Sequence, residues 1–261
     1  MKFHLKETQK PNIKNPVLIE GLPGIGYVGR IAAKHLVSEL KAKKFAVLHS
    51  TYFQPQVIIK RSGMIRTMKN EFYYWKAKKK NQKDLIIVIG NTQSTSPEGQ
   101  YALAEKLLDV VGEYNVDTIY TLGGLGVGGM VEKPRVLGAV THRKFIPELE
   151  EMDVIIRREE VGQIIGVSGL LLGLSRLRGI YGVCLMGETS GFYMDPLSAK
   201  AVLQALAGLL NVEIDTTKLT KRAKATERRV AEAQKLEKKI LEDMGMFQRG
   251  EPTDDQLRYI G

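Results

Sequence analysis

The amino-acid sequence predicts a layered α/β domain built on a largely parallel sheet, followed by one long helix and a polar tail. Three observations carry this prediction. Short apolar runs alternate with amphipathic segments from residue 16 to about 215, the order that places helices between parallel strands. One run, Leu85 to Ile89, is apolar throughout and flanked by polar residues, as a strand covered on both faces must be. From Thr217 to Met244 the chain is rich in Ala, Lys, Glu, Arg and Leu and has neither Gly nor Pro, the composition of an uninterrupted helix.

Taken in order, residues 16–22 (PVLIEGL) read as a short buried strand, because a compact apolar run meets Pro and Gly at once. A turn over Gly24 to Gly29 then opens a helix from Tyr27 to Leu40, with Ile31, the Lys34 stem, Leu36 and Leu40 on its inner face. Phe45 to Leu48 is a second strand. Gln56 to Ile59 and Met64 to Met68 form a hairpin about Arg61-Ser62-Gly63, continued by the aromatic run Phe72 to Trp75. After the strand at Leu85, Ser96 is placed to cap a helix that has Pro97 at its first position and runs to about Tyr114.

Thr118 to Leu122 is the next strand, and it leads into a glycine cluster at residues 123–129. Arg135 to Thr141 is a further strand, and 143–162 is a charged surface excursion. A short helix over Ser168 to Arg178, a strand from Tyr181 to Met186 and an apolar helix from Pro196 to Leu210, capped by Asp195, complete the core. The expected division is an α/β core over 1–215, a projecting helix over 216–248 and a flexible tail over 249–261. Along the helix, Leu219, Ala223, Thr226, Val230, Ala233, Glu237, Ile240 and Met244 follow a 4,3 spacing. Such a thin seam suits packing on a partner helix or on the chain's own body.

Composition narrows the function classes. The 261 residues are 43% apolar and 26% charged, enough for a sizeable core. The longest apolar run, Ile164 to Leu174, is about half of the ~20 residues a membrane span needs, so no membrane partner is expected. The first residues lack the apolar stretch of a secretory signal, which points to the cytoplasm. A lone Cys184 excludes an internal disulfide framework, and the histidines at 4, 35, 49 and 142 have no metal-ligand spacing. The net charge of +10 is concentrated in two places. Residues 60–83 hold nine basic side chains against Glu71, residues 218–249 hold ten against five acidic ones, and the remainder is near −3.

Several segments have the residue types of binding sites. Gly24-Ile25-Gly26-Tyr27-Val28-Gly29 matches GxGxxG between a strand and a helix, where Gly24, Gly26 and Gly29 would let a pyrophosphate approach the helix N-terminus. The following strand ends Leu48-His49-Ser50-Thr51, without the carboxylate that would hold a ribose, so a tight turn packed against the sheet is favoured and no cofactor is expected. Gly124 and Gly126 belong to the second glycine cluster, which reads either as an anion nest or as a flexible loop. Asn91 to Ser96 and Glu188 to Gly191 follow strand ends, where open α/β sheets place ligands. Neither shows a nucleophile paired with a base by spacing. The aromatics among the basic residues of 60–83 suit stacking on single-stranded nucleic acid, and a solvated hairpin whose aromatics face the core or an oligomer interface explains them equally well.

In order along the chain stand Glu20-Gly21-Leu22-Pro23-Gly24-Ile25-Gly26-Tyr27-Val28-Gly29, Gly90-Asn91-Thr92-Gln93 with Ser96-Pro97-Glu98-Gly99, and Thr121-Leu122-Gly123-Gly124. Gly166-Val167-Ser168-Gly169-Leu170-Leu171-Leu172-Gly173 and Glu188-Thr189-Ser190-Gly191 complete the series. With this series the sequence resembles the proteasome assembly chaperone family, in particular its archaeal homologues, over about residues 16–215. The resemblance implies a three-layer fold similar to nucleoside phosphorylases, no catalytic residues and no cofactor. It further implies a non-enzymatic factor, assembly chaperone or activator, that acts as a homo-oligomer and binds the α-subunits of the 20S proteasome.

Some members of that family insert a C-terminal hydrophobic–tyrosine–any-residue motif between α-subunits. Here the matching segment is Leu257, Tyr259, Ile260 and Gly261. Tyr259 stands third from the end, so Ile260 takes the tyrosine slot and Tyr259 the hydrophobic one. The competing expectation is an enzyme that binds a nucleoside or similar ligand at Gly24, Gly26, Gly29, Asn91, Gly124 and Gly126.

Overall fold

Alternating side chains decide the layers. The structure, a computed structural model, describes residues 2–156 and 162–243. Strand β1 is Phe3–Glu7, β2 Val17–Gly21, β3 Lys43–Ser50, β4 Val57–Ile59, β5 Ile65–Thr67 and β6 Asn70–Trp75. They are followed by β7 Leu85–Gly90, β8 Thr118–Gly126, β9 Val136–Val140, β10 Val154–Ile155 and β11 Tyr181–Thr189. The helices are α1 Val28–Glu39, α2 Pro97–Gly112, α3 Ile146–Glu151, α4 Val167–Leu177, α5 Pro196–Leu209 and α6 Thr217–Asp243.

Among the described residues, nine strands form one sheet in the order β1-β3-β6-β7-β2-β8-β11-β9-β10, and β4 and β5 form a separate hairpin. Val17 and Ile19 of β2 and Leu85 and Ile87 of β7 face a core shared with α1 and α5. Leu18, Ile86 and Val88 face the opposite core, filled by Leu103, Leu107 and Leu108 of α2 and by Val167 and Leu171 of α4. Every residue of β2 and β7 is therefore buried.

The sheet is mixed rather than largely parallel. Its centre, β7-β2-β8-β11, is parallel. The pairs β1/β3, β3/β6, β6/β7 and β11/β9 are antiparallel. A parallel pair needs a crossover, usually a helix, and residues 51–69 and 76–84 have no helical periodicity to supply one.

Other expectations change in detail. The 143–162 excursion carries α3 and the edge strand β10, and Phe145, Leu149 and Val154 are buried there. The inner face of α1 is set by Val28, Gly29, Ala32, Ala33, His35 and Leu36, while Lys34 is exposed. Small residues let this helix sit closer to the sheet than the larger aliphatic ones would. Ser96 and Asp195 cap their helices as their positions suggest. Ser96 Oγ accepts from Gly99 N at 3.1 Å, and Asp195 Oδ1 accepts from Ser198 N at 2.9 Å.

Among the described residues, helix α6 is buried against the core at its start. Leu219 and Ala223 are buried, Thr226 and Val230 are partly exposed, and Leu236 and Ile240 are exposed. The first two turns of the seam thus pack on the chain's own body, against α5. Met244, the last seam position, lies outside the described residues.

Candidate functional site

The C-terminal ends of β2, β8 and β11 meet at one edge of the sheet, and the glycine segments lie there. A 3-10 turn over Ile25–Tyr27 joins β2 to α1, with Gly26 at φ +60°, a conformation that favours glycine. Close approach explains the others. A Cβ on Gly29 would stand 1.9 Å from the Leu122 carbonyl oxygen, and one on Gly124 would stand 2.4 Å from the Ile25 carbonyl oxygen. The space over Gly26 is filled by the Thr189 side chain, whose Oγ1 would lie 2.7 Å from a Cβ.

This edge is therefore closed by the protein's own atoms. Gly123 to Gly126 are not a loop but the end of β8, paired residue for residue with Met186 to Thr189 of β11. Glu188 and Thr189 likewise belong to β11 rather than to a following loop. Gly24 has nothing within 4 Å of a Cβ, and Gly126 has only the Ile25 side chain at 3.8 Å.

Polar side chains knit the same region. Gln93 Nε2 donates to the Pro23 carbonyl oxygen, and its Oε1 accepts from Val167 N at 3.2 Å, which ties the turn after β2 to the start of α4. Glu20, fully buried on β2, accepts from Leu22 N and from Ser168 Oγ, each at 2.8 Å. Burial pushes its carboxyl up to about 7, against the opposing pull of those two hydrogen bonds. Arg135 grips the buried Glu188 with Nε and Nη2. Cys184 is buried in β11, and burial pushes its thiol up to about 12, which makes it packing rather than a nucleophile.

Around this edge lies a rim of exposed apolar side chains that sequence patterning missed: Ile25, Tyr27, Val127, Met130, Phe192 and Met194. Phe192 is 83% exposed. These side chains fall in short stretches broken by Gly, so neither strand nor helix periodicity marks them. The signal available was position, in the segments that follow the ends of β2, β8 and β11.

Asn91 is separate from the glycine turn. It follows β7, its Oδ1 accepts from Lys69 N at 2.7 Å, and it lines a cleft on the α1 side of the sheet. The aromatics of 60–83 are core or half-buried: Phe72 and Trp75 are enclosed, and Tyr73 and Tyr74 pack partly against the two cores. The expected partner segment, Leu257, Tyr259, Ile260 and Gly261, lies outside the described residues. Among the described residues no helix is long and apolar enough to cross a membrane, and no group of three or more His, Cys, Asp or Glu side chains could hold a metal ion.

Fold and site together define an α/β protein with a mixed sheet, a glycine turn closed upon its own strands, and a long last helix packed on the core at its root. The chain belongs to the PAC2 family, whose model matches residues 18–234. It is 45% identical over 249 residues to an uncharacterised protein of Methanocaldococcus jannaschii, covering 95% of this chain and 93% of that protein.

Among solved structures it is similar to Pyrococcus furiosus PbaB, an archaeal proteasome activator. That likeness has a TM-score of 0.86 and 45% identity, and it covers 89% of this chain and 99% of that one. It is also similar to PbaA of the same organism, an archaeal homologue of proteasome-assembly chaperone. There the TM-score is 0.74 and the identity 26%, over 94% of this chain and 97% of that one.

Proposed function

We propose that this chain is a non-enzymatic proteasome-binding factor, an assembly chaperone or activator homologue, that docks on the α-subunits of the 20S particle. The observation that carries this is the likeness to PbaB, which combines 45% identity with 99% coverage of that chain. In this proposal residues 1–215 are an α/β core of nucleoside-phosphorylase type, 216–248 a projecting helix and 249–261 a flexible tail. Leu257, Tyr259, Ile260 and Gly261 make the contact. The core assembles as a homo-oligomer in the cytoplasm, so several weak tails act together through effective concentration.

Two features of the described residues support this division of labour. Burial along helix α6 falls off after Ala223, with Leu236 and Ile240 exposed, as expected of a helix that projects from the core. Gly26, Gly29 and Gly124 are closed by Thr189, Leu122 and Ile25, which disfavours a nucleoside over them and leaves only Gly24 and Gly126 open. The test is binding of the full chain to immobilised 20S particles, compared with Tyr259→Ala and Ile260→Ala. Each substitution is expected to weaken binding at least tenfold with the oligomer intact. Unchanged binding in both would overturn the tail as the contact.

A further inference from the structure

The cleft that contains Asn91 has a donor excess which the proteasome-binding proposal leaves unused. It lies between α1, the β5 end of the exposed hairpin, and the strands β6 and β7, and it encloses about 260 Å³. That is many times the ~15 Å³ a single water needs. Its walls bring together residues far apart in the sequence: Arg30 and Lys34 from α1, Arg66 from β5, and Asn91 from the end of β7.

The hydrogen-bonding account of this cleft does not close. Arg30 Nε donates to the Gly90 carbonyl oxygen at 2.6 Å, which fixes the plane of the guanidinium and leaves its two terminal nitrogens without a protein acceptor among the described residues. Arg66 Nε and Asn91 Nδ2 are buried and have no hydrogen-bond partner among the described residues. Buried donors of this kind cost about 1–3 kcal/mol each when nothing accepts from them.

The carboxylate in the cleft wall, Glu71, is already engaged by Lys69 Nζ at 2.7 Å and Lys44 Nζ at 3.2 Å. Arg30, Lys34 and Arg66 therefore face the cleft without a counter-charge from the described residues. Arg30 is held below the usual arginine range, first by burial and then by the neighbouring Arg66 charge. Two arginines that line one partly desolvated cleft and feel each other's charge ask for an anion between them.

We propose that this cleft binds a phosphate group, with Arg30 and Arg66 as the paired ligands, Asn91 Nδ2 as a neutral donor and Lys34 closing the mouth. Arginine suits a tetrahedral oxyanion because its planar fork meets two oxygens at once, and two such forks with an amide supply enough donors for a dianion. The cleft extends past the donors along Val37, Ile89 and the half-buried Tyr73 ring, so it has room for the organic part of a phosphate ester. The ligand class is thus a small phosphate compound, either free orthophosphate or a nucleotide.

The experiment is isothermal titration of the full chain with inorganic phosphate, AMP and ATP at low ionic strength, repeated with Arg66→Gln, Arg30→Gln and Lys80→Gln. Arg66 lies on the separate hairpin, so its substitution spares the main sheet. Lys80 is exposed and outside the cleft, so its substitution removes the same charge elsewhere. The expected result is saturable 1:1 binding per chain, weakened at least tenfold by Arg66→Gln and Arg30→Gln and unchanged by Lys80→Gln. Equal affinity for all three probes would identify free phosphate as the source, and tighter binding of AMP or ATP would identify the ester. No saturable binding of any probe, or equal weakening by all three substitutions, would overturn the proposal.

Discussion

Replacing Glu20 by Gln should stabilise the protein at neutral pH and leave it unchanged in acid. Glu20 is enclosed between β2 and α4, and its two carboxylate oxygens accept from Leu22 N and Ser168 Oγ. Burial raises its carboxyl from 4.5 to about 7. Between those values the folded chain holds a proton that the unfolded chain has released. Stability therefore falls as pH rises through that window and levels off above about 7. At about 1.4 kcal/mol per pH unit, the gap corresponds to about 3 kcal/mol of stability lost by pH 8.

A Gln side chain keeps the acceptor for Leu22 N, offers Ser168 Oγ a donor in place of an acceptor, and carries no charge at any pH. Urea unfolding of both proteins at pH 4.5, 5.5, 6.5 and 7.5 reads the difference directly, and other titrating groups cancel in the comparison. The Gln variant should match the parent at pH 4.5 and exceed it by about 3 kcal/mol at the top of the range. Parallel stability curves, or a variant weaker at every pH, would refute the burial argument.

Two further substitutions test how the glycine edge and the last helix are built. Gly29→Ala must push α1 off β8 to relieve contact with the Leu122 carbonyl, and is expected to cost about 3 kcal/mol in chemical unfolding. Gly24→Ala, which meets nothing and has an extended backbone, should stay within about 0.5 kcal/mol. Leu219→Ala removes the buried anchor of α6, with an expected loss of about 2–5 kcal/mol and faster tryptic cleavage within 221–239. Unchanged cleavage would mean that α6 is held elsewhere.

Much of the fold was legible because its signals are local. The apolar runs of β2 and β7, the Ser96 and Asp195 caps, and the Gly- and Pro-free stretch of α6 each depend on neighbours a few residues away. Strand order and direction do not: which strands become neighbours is decided in the assembled sheet, and β9 runs antiparallel to β11 although α3 and α4 lie between them in the chain. β1 escaped notice because an edge strand reading Phe-His-Leu-Lys-Glu buries too little to need an apolar run.

The sequence already favoured a tight turn packed against the sheet at Gly24 to Gly29, and left the second glycine cluster open between an anion nest and a loop. Only the packed structure shows that Gly29 and Gly124 are small because Leu122 and Ile25 press against them. The donor-rich cleft was invisible for the same reason, since Arg30, Arg66 and Asn91 come from a helix, a hairpin and a strand end. The basic segment 60–83 gave its charge but not that Arg66 turns inward while Lys80 faces water.

The central claim is tested most directly by native mass spectrometry of 20S particles mixed with the full chain or with a chain stopped at Arg249. A complex with the full chain alone, with the core oligomer intact in both, is the result expected of a tail-anchored proteasome partner. A complex that survives the truncation, or none with either chain under conditions where a known activator binds, would contradict it.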